Sequence, residues 1–135
     1  MDFKKQFALA ALAVVFIALF FIMNRKADLP MGKYSAFSCD YPNLTLAYVD
    51  LHYADAAEHK SFTFMFSPIS STIHSGSYEV QGNELILYSD YADNTFHFLI
   101  KGKSLIFQEE KSSELPKFKD TNIVSDGTVF TLNTP

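Results

Sequence analysis

Phenylalanine stands at every second position of Ser61-Phe62-Thr63-Phe64-Met65-Phe66-Ser67. Successive side chains of an extended chain point to opposite faces, so this segment gathers three large rings on one side. An α-helix would scatter the same rings around its circumference. Period two with aromatic enrichment predicts a half-buried strand. A face of that kind must be buried against a second sheet or against the rest of its own sheet, which selects a sandwich or a barrel.

The alternation recurs along the chain. Tyr78-x-Val80-x-Gly82-x-x-Leu85-Ile86-Leu87 returns as Phe98-x-Ile100-x-Gly102-x-x-Leu105-Ile106-Phe107. Each copy predicts a hairpin whose glycine takes positive φ in a tight turn, Gln81-Gly82-Asn83 or Lys101-Gly102-Lys103. The link Ser89-Asp90-Tyr91-Ala92-Asp93-Asn94 has turn chemistry throughout. Leu44-Thr45-Leu46-Ala47-Tyr48 also alternates, and Val49, Leu51 and Tyr53 continue one residue out of phase. That slip predicts a β-bulge near Tyr48-Val49. Gly32 to Phe37 reads as an opening strand and Thr128 to Leu132 as a closing one. Ala54-Asp55-Ala56-Ala57-Glu58 carries Asp as an N-cap and Glu three residues later, which predicts one helical turn. The expected fold is all-β: an antiparallel meander barrel or sandwich of about eight strands.

Ahead of this pattern runs Phe7 to Met23, seventeen residues without a charge or a hydrogen-bonding side chain. As a helix it reaches ~25 Å, enough to cross a bilayer. It ends in Phe20-Phe21-Ile22-Met23, then Asn24-Arg25-Lys26, with no small-x-small cleavage site at its end. The segment therefore reads as an uncleaved signal anchor. Lys4 and Lys5 lie before it, Arg25, Lys26 and Lys33 after it, so the positive-inside rule is nearly balanced. A short N-terminal tail is simpler to leave in the cytoplasm, with the folded part outside. The expected organisation is an anchor over residues 1–26, a linker over 27–31, an extracytoplasmic β domain over 32–132 and a tail over 133–135.

Composition narrows the partners. Met31 to Pro135 contains seven Lys, no Arg and thirteen Asp plus Glu. An acidic domain is repelled by phosphate backbones, so nucleic acid is excluded as the expected partner. Without Arg there is no bidentate clamp for phosphate or carboxylate. Cys39 is the lone cysteine, so no internal disulfide is available and packing alone must hold the fold. No basic neighbour activates its thiol, and it reads as a small, half-buried apolar residue.

Met31-Gly32-Lys33-Tyr34 resembles the Gly-x-aromatic entry strand of lipocalin-like barrels, with Tyr34 where lipocalins carry tryptophan. Gly76-Ser77-Tyr78, Leu85-Ile86-Leu87, Leu105-Ile106-Phe107, Lys111-Ser112-Ser113-Glu114 and Asp126-Gly127-Thr128-Val129-Phe130, together with Ser70-Ser71, look similar to small anchored or lipid-attached β-proteins of Gram-positive bacteria. Similar segments also form C-terminal extensions of membrane metallopeptidases of the β-lactam-sensor type. The resemblance implies an up-and-down barrel at a cell envelope and no transferable activity. The peptidases' His-Glu-x-x-His zinc motif has no counterpart in this chain, and neither does a lipobox.

Candidate sites are sparse. Asp50, His52, Asp55, Glu58 and His59 place two imidazoles among carboxylates, but at no standard metal spacing. A solvated, capped loop explains them better. Asp90, Asp93 and Asn94 lack the ligand spacing of a calcium loop and read as turn residues. His74 precedes Ser75, yet neighbours on a strand face opposite ways, which argues against a catalytic pair. His97, between Phe96 and Phe98, should face outward. The loops Ser67 to Ile73 and Glu109 to Lys119 are where a bound protein would be sought. No catalytic, cofactor-binding or metal residue is assigned. The expectation is a non-catalytic, immunity-like or accessory binding module held at the membrane. Its alternatives are a lipocalin-like carrier of a small apolar ligand and, more remotely, a metal-dependent enzyme.

Overall fold

The computed structural model describes residues 2–23, 27–37, 45–68, 72–116 and 124–133. Cys39, Ser70, Ser71 and Lys117 to Lys119 lie outside them. The chain runs through α1 (Phe3–Met23), β1 (Gly32–Phe37), β2 (Thr45–Tyr53), β3 (Lys60–Met65), β4 (His74–Gln81), β5 (Glu84–Ser89), β6 (Thr95–Lys101), β7 (Ser104–Phe107) and β8 (Val129–Leu132). Each strand pairs with the next in antiparallel fashion, and β8 pairs back onto β1 through Tyr34↔Leu132 and Ser35↔Thr131. The sheet is therefore a closed barrel of eight strands, an architecture without free edges.

The alternation delivers its rings to the interior. Phe62, Phe64, Phe66, Phe96, Phe98, Phe107 and Phe130 are all buried, with Val49, Leu51, Leu85, Leu87 and Leu105 between them. Phe64 of β3 meets Phe96 and Phe98 of β6 at 5.1 and 5.8 Å and Phe130 of β8 at 6.3 Å between ring centroids, all edge to face. Phe98 in turn meets Phe130 at 5.5 Å and Phe107 at 5.4 Å. Strands three and five apart thus touch through the barrel axis. Eight-stranded barrels are narrow enough to be filled by side chains, and here the rings do so. Each buried ring is worth roughly 1.5–3 kcal/mol of transfer free energy, with a further ~0.5–1.5 kcal/mol for a well-placed aromatic pair.

Both repeated hairpins form as expected, β4 with β5 and β6 with β7. Gly82 and Gly102 hold φ near +61° and +58° at the first central position of their two-residue turns, where L residues are strained. Gly76 acts differently. A Cβ there would run into the Tyr88 carbonyl, so glycine lets β4 and β5 approach closely at this point.

Three expectations need correction. The bulge is not at Tyr48-Val49: β2 pairs with β3 without interruption from Tyr48 to Tyr53, and the register slips opposite Ala36/Phe37, where Leu46 is the extra residue. Ala47, Val49 and Leu51 face the core, while Tyr48 stays on the outer face beneath the Lys33 ammonium, 4.1 Å from its ring centroid. Residues 54–59 form a turn rather than a helical turn, with Glu58 left-handed at φ 58°. The Asp55 side chain accepts from the Ala57 and His59 amides, which ties the loop without building a helix. The short helical piece lies instead at Glu109–Lys111, a 3-10 turn.

α1 begins four residues earlier than the apolar run. Its 21 residues correspond to ~31 Å, about the thickness of a bilayer's hydrocarbon core. It is long and apolar enough to cross a membrane, and none of it is buried by the protein.

Candidate functional site

Because the strands alternate in direction, the connections fall into two sets. The near end, where β1 starts, carries the loops 54–59, 82–83 and 102–103 and the end of β8. The far end carries 38–44, 66–73, 90–94 and 108–128. Backbone hydrogen bonds knit the near rim: Ala27 N–H donates to the Gly82 carbonyl, Ile100 to Asn83, Leu132 to Lys103 and Asn133 to Lys33, all within 2.7–3.0 Å. Residues 27–31 are thus a strap seated on the barrel. Ala27, Leu29 and Met31 pack against the core, the Tyr34 hydroxyl donates to the Pro30 carbonyl at 2.6 Å, and the Tyr78 hydroxyl donates to Met31 Sδ at 3.0 Å. Burial pushes both phenols up to about 12, so they stay protonated donors at any ordinary pH.

The far end holds a polar plug. His74 and Ser89 are 3% and 8% exposed, and His74 Nδ1 lies 2.9 Å from Ser89 Oγ. The same hydroxyl accepts from the Tyr91 amide, which leaves its proton for the imidazole. Phe64, Phe66, Phe96 and Tyr91 wall the ring at 4.8–6.4 Å. Burial holds the imidazole's pKa below its ordinary value, so the neutral form prevails. Ser75 is exposed on the opposite face from His74, as strand parity requires. The partner hydroxyl was legible only through register: counting back from the Gly82-Asn83 turn sets Gly76 opposite Ser89 and puts His74 and Ser89 on one inward face.

The other sequence candidates stay apart. Asp50 and His52 lie on the outer face of β2, opposite Thr63 and Ser61. At the near-end turn, Asp55 Oδ2 pairs with His59 Nδ1 at 2.7 Å, which lowers the Asp55 pKa. Glu58 is in neither group. Among the described residues, no three His, Cys, Asp or Glu side chains converge as a metal set would. Asp93 is spent on a left-handed turn position with Ala92, where the Asn94 amide donates to the Tyr91 carbonyl. His97 does face outward. Its Nδ1 lies 2.5 Å from Glu84 Oε1, whose other oxygen lies 3.5 Å from Lys111 Nζ. Its backbone N–H donates to Ser112 Oγ, so His97 pins the 3-10 turn to the barrel wall.

The far end also carries a small cavity of about 150 Å³ between Phe107, Glu109, Ser112, Ser113, Glu114, Leu115 and Val124. Glu109 and Asp126 shape its margin, each carboxylate accepting from the other's backbone amide. The volume suits one side chain of a bound protein and is below the ~300–1,000 Å³ of small-molecule sites. A shallow outer groove of about 460 Å³ runs along β2, β3 and β4, with His52 and Asp90 among its lining residues. Compared with family models, with curated proteins and with solved structures, the chain has no match in any of the three. Fold and geometry define its class: a small, ring-filled antiparallel barrel strapped behind a helix of membrane-spanning length.

Proposed function

We propose that the chain is a single-pass membrane protein that keeps α1 as its anchor and holds a non-catalytic binding barrel outside the cytoplasm. Its partner is a protein or an envelope-active compound, met near the bilayer as immunity and accessory proteins meet theirs. The observation that carries this reading is the unequal build of the two ends. One end is tied by Ala27 to Met31 to the root of the helix. The other presents the longest connections and the cavity at Glu109 and Glu114. An anchored domain meets any membrane-bound partner at raised effective concentration, which is the physical benefit of the tether.

The carrier alternative is weaker. It needs an interior void of several hundred Å³, and Phe64, Phe98 and Phe130 occupy the axis where that void would be. Site-specific photo-crosslinking in the native membrane tests the reading. A benzoylphenylalanine at Glu114 or Tyr91 should give an adduct of one defined mass, and one at Lys103 should not. The same adduct from Lys103, or none from either far-end position, would contradict it.

A further inference from the structure

The near end stands against the lipid itself, and this rests on the anchor reading above. Met23 closes α1 and Ala27 is hydrogen-bonded to the Gly82 carbonyl in the β4–β5 turn. Four residue steps separate them, which span at most about 14 Å of extended chain. The strap that follows is not a free tether: Leu29 and Met31 pack on the core, and two buried tyrosine hydroxyls hold Pro30 and Met31. A helix end at the membrane surface therefore brings the 82–83 turn and its neighbours to the headgroup layer.

The side chains of that end suit the location. Lys60, Lys101 and Lys103 are exposed and have no ion-pair partner among the described residues. Most carboxylates nearby are engaged. Asp55 is held by His59 and two amides, Glu79 accepts from Tyr88 and Gln81, and Glu84 takes His97 and Lys111. Asp28 and Glu58 are the exceptions. Tyr53, 49% exposed on the same end, is a residue type that favours the membrane–water interface. By contrast the far-end connections carry eight carboxylates, Asp40, Asp90, Asp93, Glu109, Glu110, Glu114, Asp120 and Asp126, against Lys111, Lys117 and Lys119. The net acidity of the domain is thus concentrated away from the anchor. An anionic bilayer attracts one end and repels the other.

We infer that the near rim, with Lys60, Lys101 and Lys103, is a docking surface for the phosphate groups of the bilayer that α1 crosses, so that the barrel stands upright with its acidic end outward. The test uses the full chain with Cys39→Ser in nanodiscs of phosphatidylcholine mixed with phosphatidylglycerol. Fluorophores are placed one at a time at Asn83→Cys and Lys103→Cys, at Tyr91→Cys and Glu114→Cys, and at Leu12→Cys in α1 as a reference. Nitroxide on the lipid headgroup should quench the two near-end positions several-fold more than the two far-end ones. Lys60→Gln with Lys101→Gln should reduce that difference.

Equal quenching of both ends, with the Leu12 reference still quenched by acyl-chain nitroxide, would overturn the docking surface and leave the anchor standing. An unchanged difference in the lysine double variant would overturn the role of the ammonium groups. Loss of quenching at the Leu12 reference would overturn the anchor reading and the docking surface together.

Discussion

The two ends of the barrel solve the same problem by different means. At the near end, two of the three turns have two residues, and the rim is closed by backbone hydrogen bonds from Ala27, Ile100, Leu132 and Asn133. At the far end the connections are longer, and side chains do the closing: His74 on Ser89, Ser112 on His97, Glu109 and Asp126 on each other's amides. Backbone closure tolerates most side-chain changes and fixes position. Side-chain closure can change its surface without changing its fold. The contrast separates an end built for placement from one built for recognition.

Substitutions can break that contrast or sharpen it. Phe64→Ala removes the ring that meets β6 and β8 across the axis, and both ends should fail together. A loss of ~3–5 kcal/mol in chemical denaturation is expected, with hydrogen exchange rising equally at both rims. Gly76→Ala drives a Cβ into the Tyr88 carbonyl and should cost roughly 1–3 kcal/mol. Gly102→Ala meets nothing within 4 Å and should lose only about 1 kcal/mol through its positive φ. Equal losses for the two glycine variants would show that close strand approach is not what Gly76 provides.

Acid should loosen the far end alone. His74 is neutral in the fold, with its pKa held below the ordinary 6.5 by burial, so the unfolded chain takes up a proton first as pH falls. Stability from this residue is full above pH 6.5 and declines below it, by at most ~1.4 kcal/mol per pH unit. Exchange at the Asp90 and Tyr91 amides should rise between pH 7 and 5 while Ile100 and Leu132 stay protected, and His74→Leu should flatten the response. Protection lost equally at both rims would contradict the separation. The smallest effect belongs to Tyr34→Phe, which removes the bond to the Pro30 carbonyl. It should cost about 1 kcal/mol and speed exchange at Ala27 without touching the far end.

Much of the barrel was legible because period two is a local property. Phe62 to Phe66, the paired hairpins and the glycine turns each declare themselves within ten residues. Leu46 and Tyr48 misled because apolar side chains on an outer face look inward-facing when only parity is read. Nothing in the sequence around Tyr48 announces that Lys33, fifteen residues earlier, will cover it. The strap was read as a linker for a similar reason, since Leu29 and Met31 find their burial only after β8 has closed on β1. The far-end plug needs two strands in register before His74 meets Ser89. Sites assembled by closure are silent until closure is known.

One measurement bears most directly on the whole account: the intact mass and solubility of the native protein. After an alkaline carbonate wash, the full 15.3 kDa chain should stay in the membrane pellet, and protease added outside intact cells should digest its barrel. A washed-off or secreted form whose first residue lies beyond Met23 would contradict it.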